Sequence, residues 1–145
     1  MSGQIIVSPF SNYAPALRLS VSVLLLFQIV LGKVVQKEAK LDQQLAKELV
    51  GLGKRFPFKT VFGTTVCTND FYEGQARLDG AFCAYSKQDK LDYLQFLKEN
   101  GVSNIEMEST CFAALTHQAG IRSAVVCVAL LDRLNEDQVL MNTLN

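Results

Sequence analysis

The chain has 145 residues, a length typical of one domain with a single core. Fourteen acidic residues balance fourteen lysines and arginines, and the basic residues form no stripe with interleaved aromatic residues. This charge distribution disfavours nucleic acid or an anionic membrane as a partner. Hydrophobic residues make up 49% of the chain and charged residues 19%, as in ordinary globular proteins.

The N-terminal region contains an uncharged apolar run from Leu19 to Gly32. Only Arg18 precedes it as a basic flank, which is weak for a signal peptide, and the run is short for a membrane span. A signal peptide stays open as the alternative. We favour a buried strand, because strands covered on both faces read as continuous apolar stretches.

Helix and strand patterns then alternate along the chain. Residues 40–52 predict an amphipathic helix that Gly53 ends, because leucines recur on one face. Residues 60–68 are rich in β-branched side chains and predict a strand. The polar residues 69–79 predict a loop or irregular extended segment, and residues 80–85 a short strand.

Ser86 is expected to begin the next helix with a capping box in which Asp89 replaces the usual glutamate. Leucines at helical spacing continue this helix as far as Gly101. Residues 104–107 fit a short strand, and residues 109–118 fit a buried helix.

Residues 124–131, AVVCVALL, give the strongest strand pattern in the chain. Strands alternating with helices indicate an α/β layer fold. In such folds ligands collect beyond the carboxyl ends of the strands. We therefore expect residues 69–77, 106–109 and 132–133 to line one crevice.

The four cysteines are Cys67, Cys83, Cys111 and Cys127. None forms a C-x-x-C pair, so a zinc site is unsupported. Their apolar neighbours predict free, inert thiols in the core, and this usage indicates a reducing compartment.

Gln75 and Arg77 are the first candidates for ligand binding. In an extended segment, residues two apart point the same way, so both side chains can reach one ligand. The glutamine amide matches the acceptor and N–H edge of a pyrimidine dione, and the guanidinium stabilises a carbonyl oxygen that gains charge. Phe71 can stack on the base, and Gly74 lets the backbone approach closely. The alternative is an ordinary solvent-facing loop.

Glu106 and Glu108 are the second candidates, since carboxylates two apart at a strand end face one side. They can act as acid and base, bind a metal with other ligands, or accept hydrogen bonds from vicinal hydroxyls. The alternative is that Glu108 only stabilises the positive end of the following helix. His117 is the only histidine, and its place in that helix predicts a surface or capping residue.

Around these motifs the sequence resembles the uridine phosphorylases of the nucleoside phosphorylase superfamily. Two segments carry the resemblance, CTNDFYEGQARLDG and GVSNIEMESTCFAALTHQAGIRSAVVCVALLDRLNEDQ, within a match from about Phe27 to about Val139. The F-Y-x-G-Q-x-R signature marks the uridine branch, whereas N-x-E-M-E-S is shared more widely. The resemblance implies an α/β fold with three αβα layers and a mixed central sheet, here incomplete.

The resemblance also implies the reaction, a reversible phosphorolysis of uridine to uracil and ribose 1-phosphate. Phosphate is the co-substrate, and neither a metal nor an organic cofactor takes part. Gln75 and Arg77 would bind the uracil, against which Phe71 packs, and Glu108 would accept hydrogen bonds from the ribose. No catalytic residue is assigned. The full implied substrate-binding set is Phe71, Gln75, Arg77, Glu106, Met107, Glu108, Leu130 and Leu131.

Asp132 stands where part of the family has asparagine, and purine-specific relatives place an aspartate there to protonate the base. The intact Gln75-x-Arg77 pair, with Arg133 after Asp132, favours a pyrimidine. Thymidine and deoxyuridine stay open as secondary substrates.

Family members are longer, and their phosphate-binding loop has no counterpart in this sequence. We therefore expect residues 1–26 to be a leader foreign to the family and residues 27–145 to be a partial phosphorylase domain with little or no turnover. A truncated or alternatively spliced product, or an incomplete gene model, would account for this. The alternatives are a non-catalytic fragment that binds nucleoside or dimerises with full-length subunits, and a secreted or membrane-anchored variant. The resemblance implies a cytoplasmic homodimer with no nucleic-acid or membrane partner.

Overall fold

The computed structural model describes residues 6–8, 16–20 and 24–138. They form seven strands, three α-helices and one 3₁₀ turn. The strands are β1 (Ile6–Ser8), β2 (Ala16–Ser20), β3 (Leu24–Val30), β4 (Lys33–Ala39), β5 (Lys59–Cys67), β6 (Val102–Glu106) and β7 (Val125–Asp132). The helices are α1 (Gln43–Gly53), α2 (Lys87–Glu99) and α3 (Ser109–Gln118), and the 3₁₀ turn is Glu73–Gln75.

Five strands form a closed mixed sheet in the order β1-β6-β5-β2-β7, with β7 returning to β1. β5 runs parallel to both β6 and β2, whereas β7 runs antiparallel to β2. Helix α1 packs on β5 and β2, and α2 packs on β6. The predicted α/β class with a mixed sheet is confirmed.

The main apolar core lies between α2 and β6. Leu94 and Leu97 of the helix pack on Val102 and Ile105 of the strand. The predicted capping box begins this helix, because Ser86 accepts from the Asp89 N–H while the Asp89 carboxylate accepts from the Ser86 N–H. The core therefore fixes the segment before α2 against the end of β6.

The apolar run at residues 19–32 does not form one buried strand, so that prediction is wrong. β2 ends at Ser20, and among the described strands β3 pairs with β4 alone, in a separate two-stranded hairpin. Leu26 packs toward α3, but Phe27, Ile29 and Leu31 are exposed. Most of the apolar side chains described in the hairpin are exposed, and the covered ones are Leu26, Val35 and Ala39.

The hairpin turn places a leucine in an unfavourable backbone conformation. Val30 pairs with Lys33 across a two-residue loop, and Leu31 and Gly32 both have positive φ, at 50° and 76°. This is the type I′ arrangement, which favours Asn-Gly. Leucine is strained there because its Cβ crowds the backbone.

We predict that Leu31→Asn raises the free energy of unfolding by about 1 kcal/mol, because asparagine tolerates the left-handed region. Urea unfolding followed by circular dichroism measures the change. Leu31→Lys is the matched control, since it also removes the exposed apolar side chain but keeps the strain. Equal stability of the two variants would contradict this explanation.

All four cysteines are free, but they are not all in the core. Cys127 is buried, Cys67 is half-buried, and Cys83 and Cys111 are exposed, so the prediction of four core thiols is wrong for the last two. Burial, reinforced by the charge of Glu106, raises the pKa of Cys127 to about 12. Burial also raises the pKa of Cys67.

We therefore predict that iodoacetamide at about pH 8 modifies Cys83 and Cys111 first and leaves Cys127 unmodified in the folded chain, because the thiolate is the nucleophile. Peptide mass spectrometry over a time course gives the order of labelling. Labelling in urea serves as the control in which all four react. Cys127 reacting as fast as Cys83 in the native chain would contradict its burial.

Candidate functional site

The two predicted motifs begin side by side at one edge of the sheet. β5 and β6 are parallel, and their last residues, Cys67 and Glu106, are partners in the register. The Thr68 N–H donates to the Glu106 carbonyl oxygen at 2.8 Å. The segment after β5 and the segment after β6 therefore leave the sheet together, as predicted.

The end of β7 reaches the same region by a different route. β7 runs antiparallel to β2 and so opposite to β5 and β6. Arg133, directly after β7, nevertheless donates from Nη2 to the carbonyl oxygens of Gln75 and Ala76, at 2.8 and 3.2 Å. This contact joins the third predicted segment to the first.

The segment that carries Gln75 and Arg77 is a compact turn. The Asp70 carboxylate accepts from the N–H groups of Tyr72 and Gly74, each at 2.8 Å. A 3₁₀ turn follows at Glu73–Gln75, and Ala76 has a φ of 51°. The predicted loop is confirmed, but the extended geometry assumed for Gln75 and Arg77 is wrong, because these local hydrogen bonds fold the backbone back on itself.

Gly74 is required in this turn for reasons of space. A Cβ atom at this position would lie 2.6 Å from Asp70 Oδ2, the oxygen that accepts from the Gly74 N–H. A side chain would push the carboxylate away and weaken the hydrogen bonds that shape the turn.

Gln75 is buried with an unsatisfied acceptor. Its side chain is 1% exposed, and its Oε1 atom has no hydrogen-bond partner among the described residues. An unpaired buried carbonyl oxygen costs about 1–3 kcal/mol, so a protein usually satisfies it. The Gln75 amide oxygen is therefore able to accept a hydrogen bond from a ligand.

Arg77 is held in a fixed orientation by its neighbours. Its guanidinium lies 4.3 Å from the centroid of the Phe71 ring. Nε and Nη2 donate to the two Asp79 carboxylate oxygens at 2.8 and 2.5 Å, and Nη2 also donates to the Asp137 carbonyl oxygen. The Arg77 hydrogen bond and charge lower the pKa of Asp79 against the opposing effect of burial. One face of the Phe71 ring is thus occupied by Arg77.

Glu106 and Glu108 do not face one side, contrary to the prediction. Glu106 is 4% exposed, and its carboxylate accepts from the N–H groups of Glu108 and Ser109, at 2.8 and 2.7 Å, and from the Ser109 hydroxyl. It therefore caps the N-terminus of α3. Glu108 is exposed, and its side chain makes no capping hydrogen bond. Met107 lies between them, half-buried.

The apolar candidates at the end of β7 lie on opposite faces of the strand. Leu131 is buried on the same side as Cys127 and Ala129, and Leu130 is half-buried on the other side. Asp132 follows them and accepts from the Leu134 N–H at 3.1 Å. Burial raises the pKa of Asp132.

Three charged residues near the turn were not predicted from sequence. Asp79 binds Arg77, and Asp137 receives hydrogen bonds from Lys90 Nζ at 2.7 Å and from Arg133 Nε at 2.8 Å. Lys90 had a usable signal, because its helical spacing from Leu94 and Leu97 places it on the buried face of α2.

A cavity of about 320 Å³ lies behind this turn. Glu73, Gly74 and Ala76 line one side, and Tyr85, Lys90 and Tyr93 line the other. Gln75 and Arg77 do not line it. This cavity is therefore not the place where the two predicted uracil-binding side chains meet.

Among residues 6–8, 16–20 and 24–138, no group of three or more His, Cys, Asp or Glu side chains is placed to hold a metal ion. Within the same ranges no helix is long and apolar enough to cross a membrane.

Comparison with known proteins agrees with the fold. Residues 13–142 match the model of the phosphorylase superfamily, so the chain belongs to this family. The matched range does not test the predicted boundary between residues 26 and 27. Human uridine phosphorylase 2 is 52% identical over 113 residues, which cover 77% of this chain and 36% of the relative. Inactive uridine phosphorylase B of Schistosoma mansoni is 37% identical over 116 residues, 79% of this chain and 39% of the relative.

A solved structure gives the same result. Uridine phosphorylase from Schistosoma mansoni, crystallised in complex with thymidine, superposes with a TM-score of 0.88 at 32% identity. The superposition covers 94% of this chain and 50% of that chain. The chain thus spans a little over a third of the curated relatives' length and about half of the solved structure.

We predict that Glu106→Gln lowers the free energy of unfolding by about 1–2 kcal/mol, because an amide weakens the bonds to the helix N–H groups and loses the favourable charge. Urea unfolding measures this loss. Glu108→Gln is the matched control and should change stability by less than about 0.5 kcal/mol. A Glu108 variant as unstable as the Glu106 variant would show that the capping role is wrongly assigned.

Proposed function

We propose that this chain provides the nucleoside-binding part of a uridine phosphorylase, which cleaves uridine with phosphate to give uracil and ribose 1-phosphate. The observation that carries the proposal is the buried Oε1 of Gln75, which has no hydrogen-bond partner in the part of the chain that the structure describes, in a member of the phosphorylase superfamily. The similarity to uridine phosphorylases supports a pyrimidine as the base.

In the proposed complex the Gln75 amide binds the alternating acceptor and N–H edge of uracil. The hydrogen bonds of Arg77 within the described residues use Nε and Nη2, so Nη1 is the part of its fork offered to the base. Phosphate attacks the anomeric carbon, and the glycosidic bond breaks with its electron pair moving to the base. Arg77 stabilises the charge that develops on the uracil oxygens.

Glu108 and Met107 would contact the ribose in this proposal. Glu108 is exposed, which leaves its carboxylate able to accept hydrogen bonds from two hydroxyls. Glu106 contributes by capping α3, which fixes the residues between the strand and the helix. Leu130 and Leu131 supply apolar surface near the base.

The other features of the proposal rest on family resemblance alone. We propose that the protein acts in the cytoplasm as a homodimer. Phosphate would serve as co-substrate, and the reaction would use no metal or organic cofactor.

We predict that the chain binds both uracil and uridine. Gln75→Leu should weaken the binding of each ligand at least about tenfold, because the leucine side chain has neither a hydrogen-bond donor nor an acceptor. Isothermal titration calorimetry gives the affinities. Gln88→Leu is the matched control, because Gln88 is an exposed glutamine of α2. If Gln75→Leu binds both ligands as tightly as the unmodified chain, the assigned uracil site is wrong.

Glu108→Gln separates the two halves of the proposed site within the same titrations. The substitution should weaken the binding of uridine, which carries the ribose hydroxyls, and should leave the affinity for uracil unchanged within about twofold. If Glu108→Gln weakens the binding of uridine and of uracil alike, Glu108 supports the folded structure and does not contact the ribose.

A non-catalytic nucleoside-binding protein is the second candidate. One relative with 37% identity is named an inactive uridine phosphorylase, so similarity of this degree is compatible with the absence of turnover. Incubation with uridine and phosphate, with uracil release followed by absorbance, distinguishes the candidates. Release supports the phosphorylase, whereas binding without release supports the second candidate.

A further inference from the structure

A buried ion network lies behind the turn that carries Gln75 and Arg77. The Asp137 carboxylate is at its centre. Oδ1 accepts from Lys90 Nζ at 2.7 Å and from Arg133 Nε at 2.8 Å, and Oδ2 accepts from the Leu78 N–H at 2.9 Å. The carbonyl oxygen of Asp137 also accepts from Arg77 Nη2. One residue thus receives hydrogen bonds from four others.

We propose that Asp137 is a positioning residue for the pyrimidine site, which orients Gln75 and Arg77 without touching the base. This inference rests on the proposed function, because it takes the turn to be the uracil-binding segment. It adds to that site a residue from outside the F-Y-x-G-Q-x-R and N-x-E-M-E-S motifs.

The first step of the argument concerns Gln75. Arg133 is 0% exposed, and its Nη2 group donates to the carbonyl oxygens of Gln75 and Ala76. Asp137 holds the same guanidinium through Nε. The carboxylate therefore fixes the backbone at Gln75 through a single rigid, planar group.

The second step concerns Arg77, because Asp137 contacts both its side chain and the backbone that follows it. The Asp137 carbonyl oxygen accepts from the Arg77 side chain, and its carboxylate accepts from the N–H of the next residue, Leu78. Asp79 accepts from Nε and from the same Nη2 group that donates to Asp137. The direction in which Arg77 presents Nη1 depends on these contacts together.

The third step is electrostatic. The network contains three cations, Arg77, Lys90 and Arg133, and two carboxylates, Asp79 and Asp137. Burial raises the pKa of the Asp137 carboxyl, but the hydrogen bonds of Lys90 and Leu78 and the charge of Arg133 lower the pKa by more. Loss of this charge would leave Lys90 and Arg133 buried beside each other without a shared anion.

The test is uracil binding by calorimetry on the full chain, with folding checked by circular dichroism. We predict that Asp137→Asn binds uracil about tenfold more weakly than the unmodified chain. Asp137→Glu, which restores the carboxylate, should recover affinity to within about threefold. Asp92→Asn, at an exposed aspartate of α2, is the matched control and should bind as the unmodified chain does.

The possible outcomes separate this inference from the proposed function. If the unmodified chain and Asp137→Asn bind uracil equally, Asp137 does not position the site, and the proposed function stands. If the unmodified chain does not bind uracil, both are overturned. If Asp137→Asn does not fold, uracil binding by Lys90→Met is the deciding measurement. An affinity about threefold weaker supports the role of the network in positioning the site, and an unchanged affinity refutes this role. Failure of Asp137→Glu to recover affinity also refutes it.

Discussion

The parallel pairing of β5 with β6 is the constraint on which the candidate site depends. Because the two strands end at partners in the register, Cys67 and Glu106, the segments that follow them leave the sheet at one edge. A parallel pair also requires a long crossover, and α2 is the helix in that connection. The pairing therefore brings the turn after β5, the N-terminus of α3 and one side of α2 into one region.

The apolar core and the ion network are two consequences of how α2 is placed. Leu94 and Leu97 pack on β6, and Lys90, one turn earlier on the same face, reaches beyond the core to Asp137. A lysine on a buried helical face is costly unless it meets an anion. The same helix face thus stabilises the fold at one end and contacts the turn that carries the proposed site at the other.

Elements governed by local sequence were predicted well. Helix α3 spans the predicted residues 109–118, and the capping box at Ser86 and Asp89 is present as expected. β5 and β7 lie within one residue of their predicted bounds. In each case the determinant is a cap, a glycine after the element or a periodic apolar pattern, which neighbouring residues supply.

The predictions that failed depended on contacts distant in sequence or on the geometry of one turn. The apolar run at residues 19–32 contains no information on whether both faces of its strand are covered, and the hairpin leaves Phe27 and Ile29 exposed. The prediction that the Gln75 and Arg77 side chains point the same way assumed an extended backbone. The Asp70 carboxylate instead accepts hydrogen bonds from the backbone and holds this segment in a turn. Glu106 and Glu108 looked equivalent in sequence, but only the former faces the helix terminus.

In the proposed site, Gln75 and Arg77 would be prepared for a ligand in two different ways. Arg77 is surrounded by acceptors and by the Phe71 ring, so its orientation is fixed before any ligand arrives and little conformational entropy is lost on binding. Gln75 instead has a buried acceptor that finds no partner among residues 6–8, 16–20 and 24–138, so a correctly placed donor would relieve an existing cost. The oriented guanidinium of Arg77 and the buried amide of Gln75 belong to residues two apart in the chain. The contacts of Asp137 and Arg133 link these two residues. A ligand with an N–H donor beside a carbonyl oxygen satisfies both groups at once, and this chemistry favours a pyrimidine dione over a purely apolar ligand.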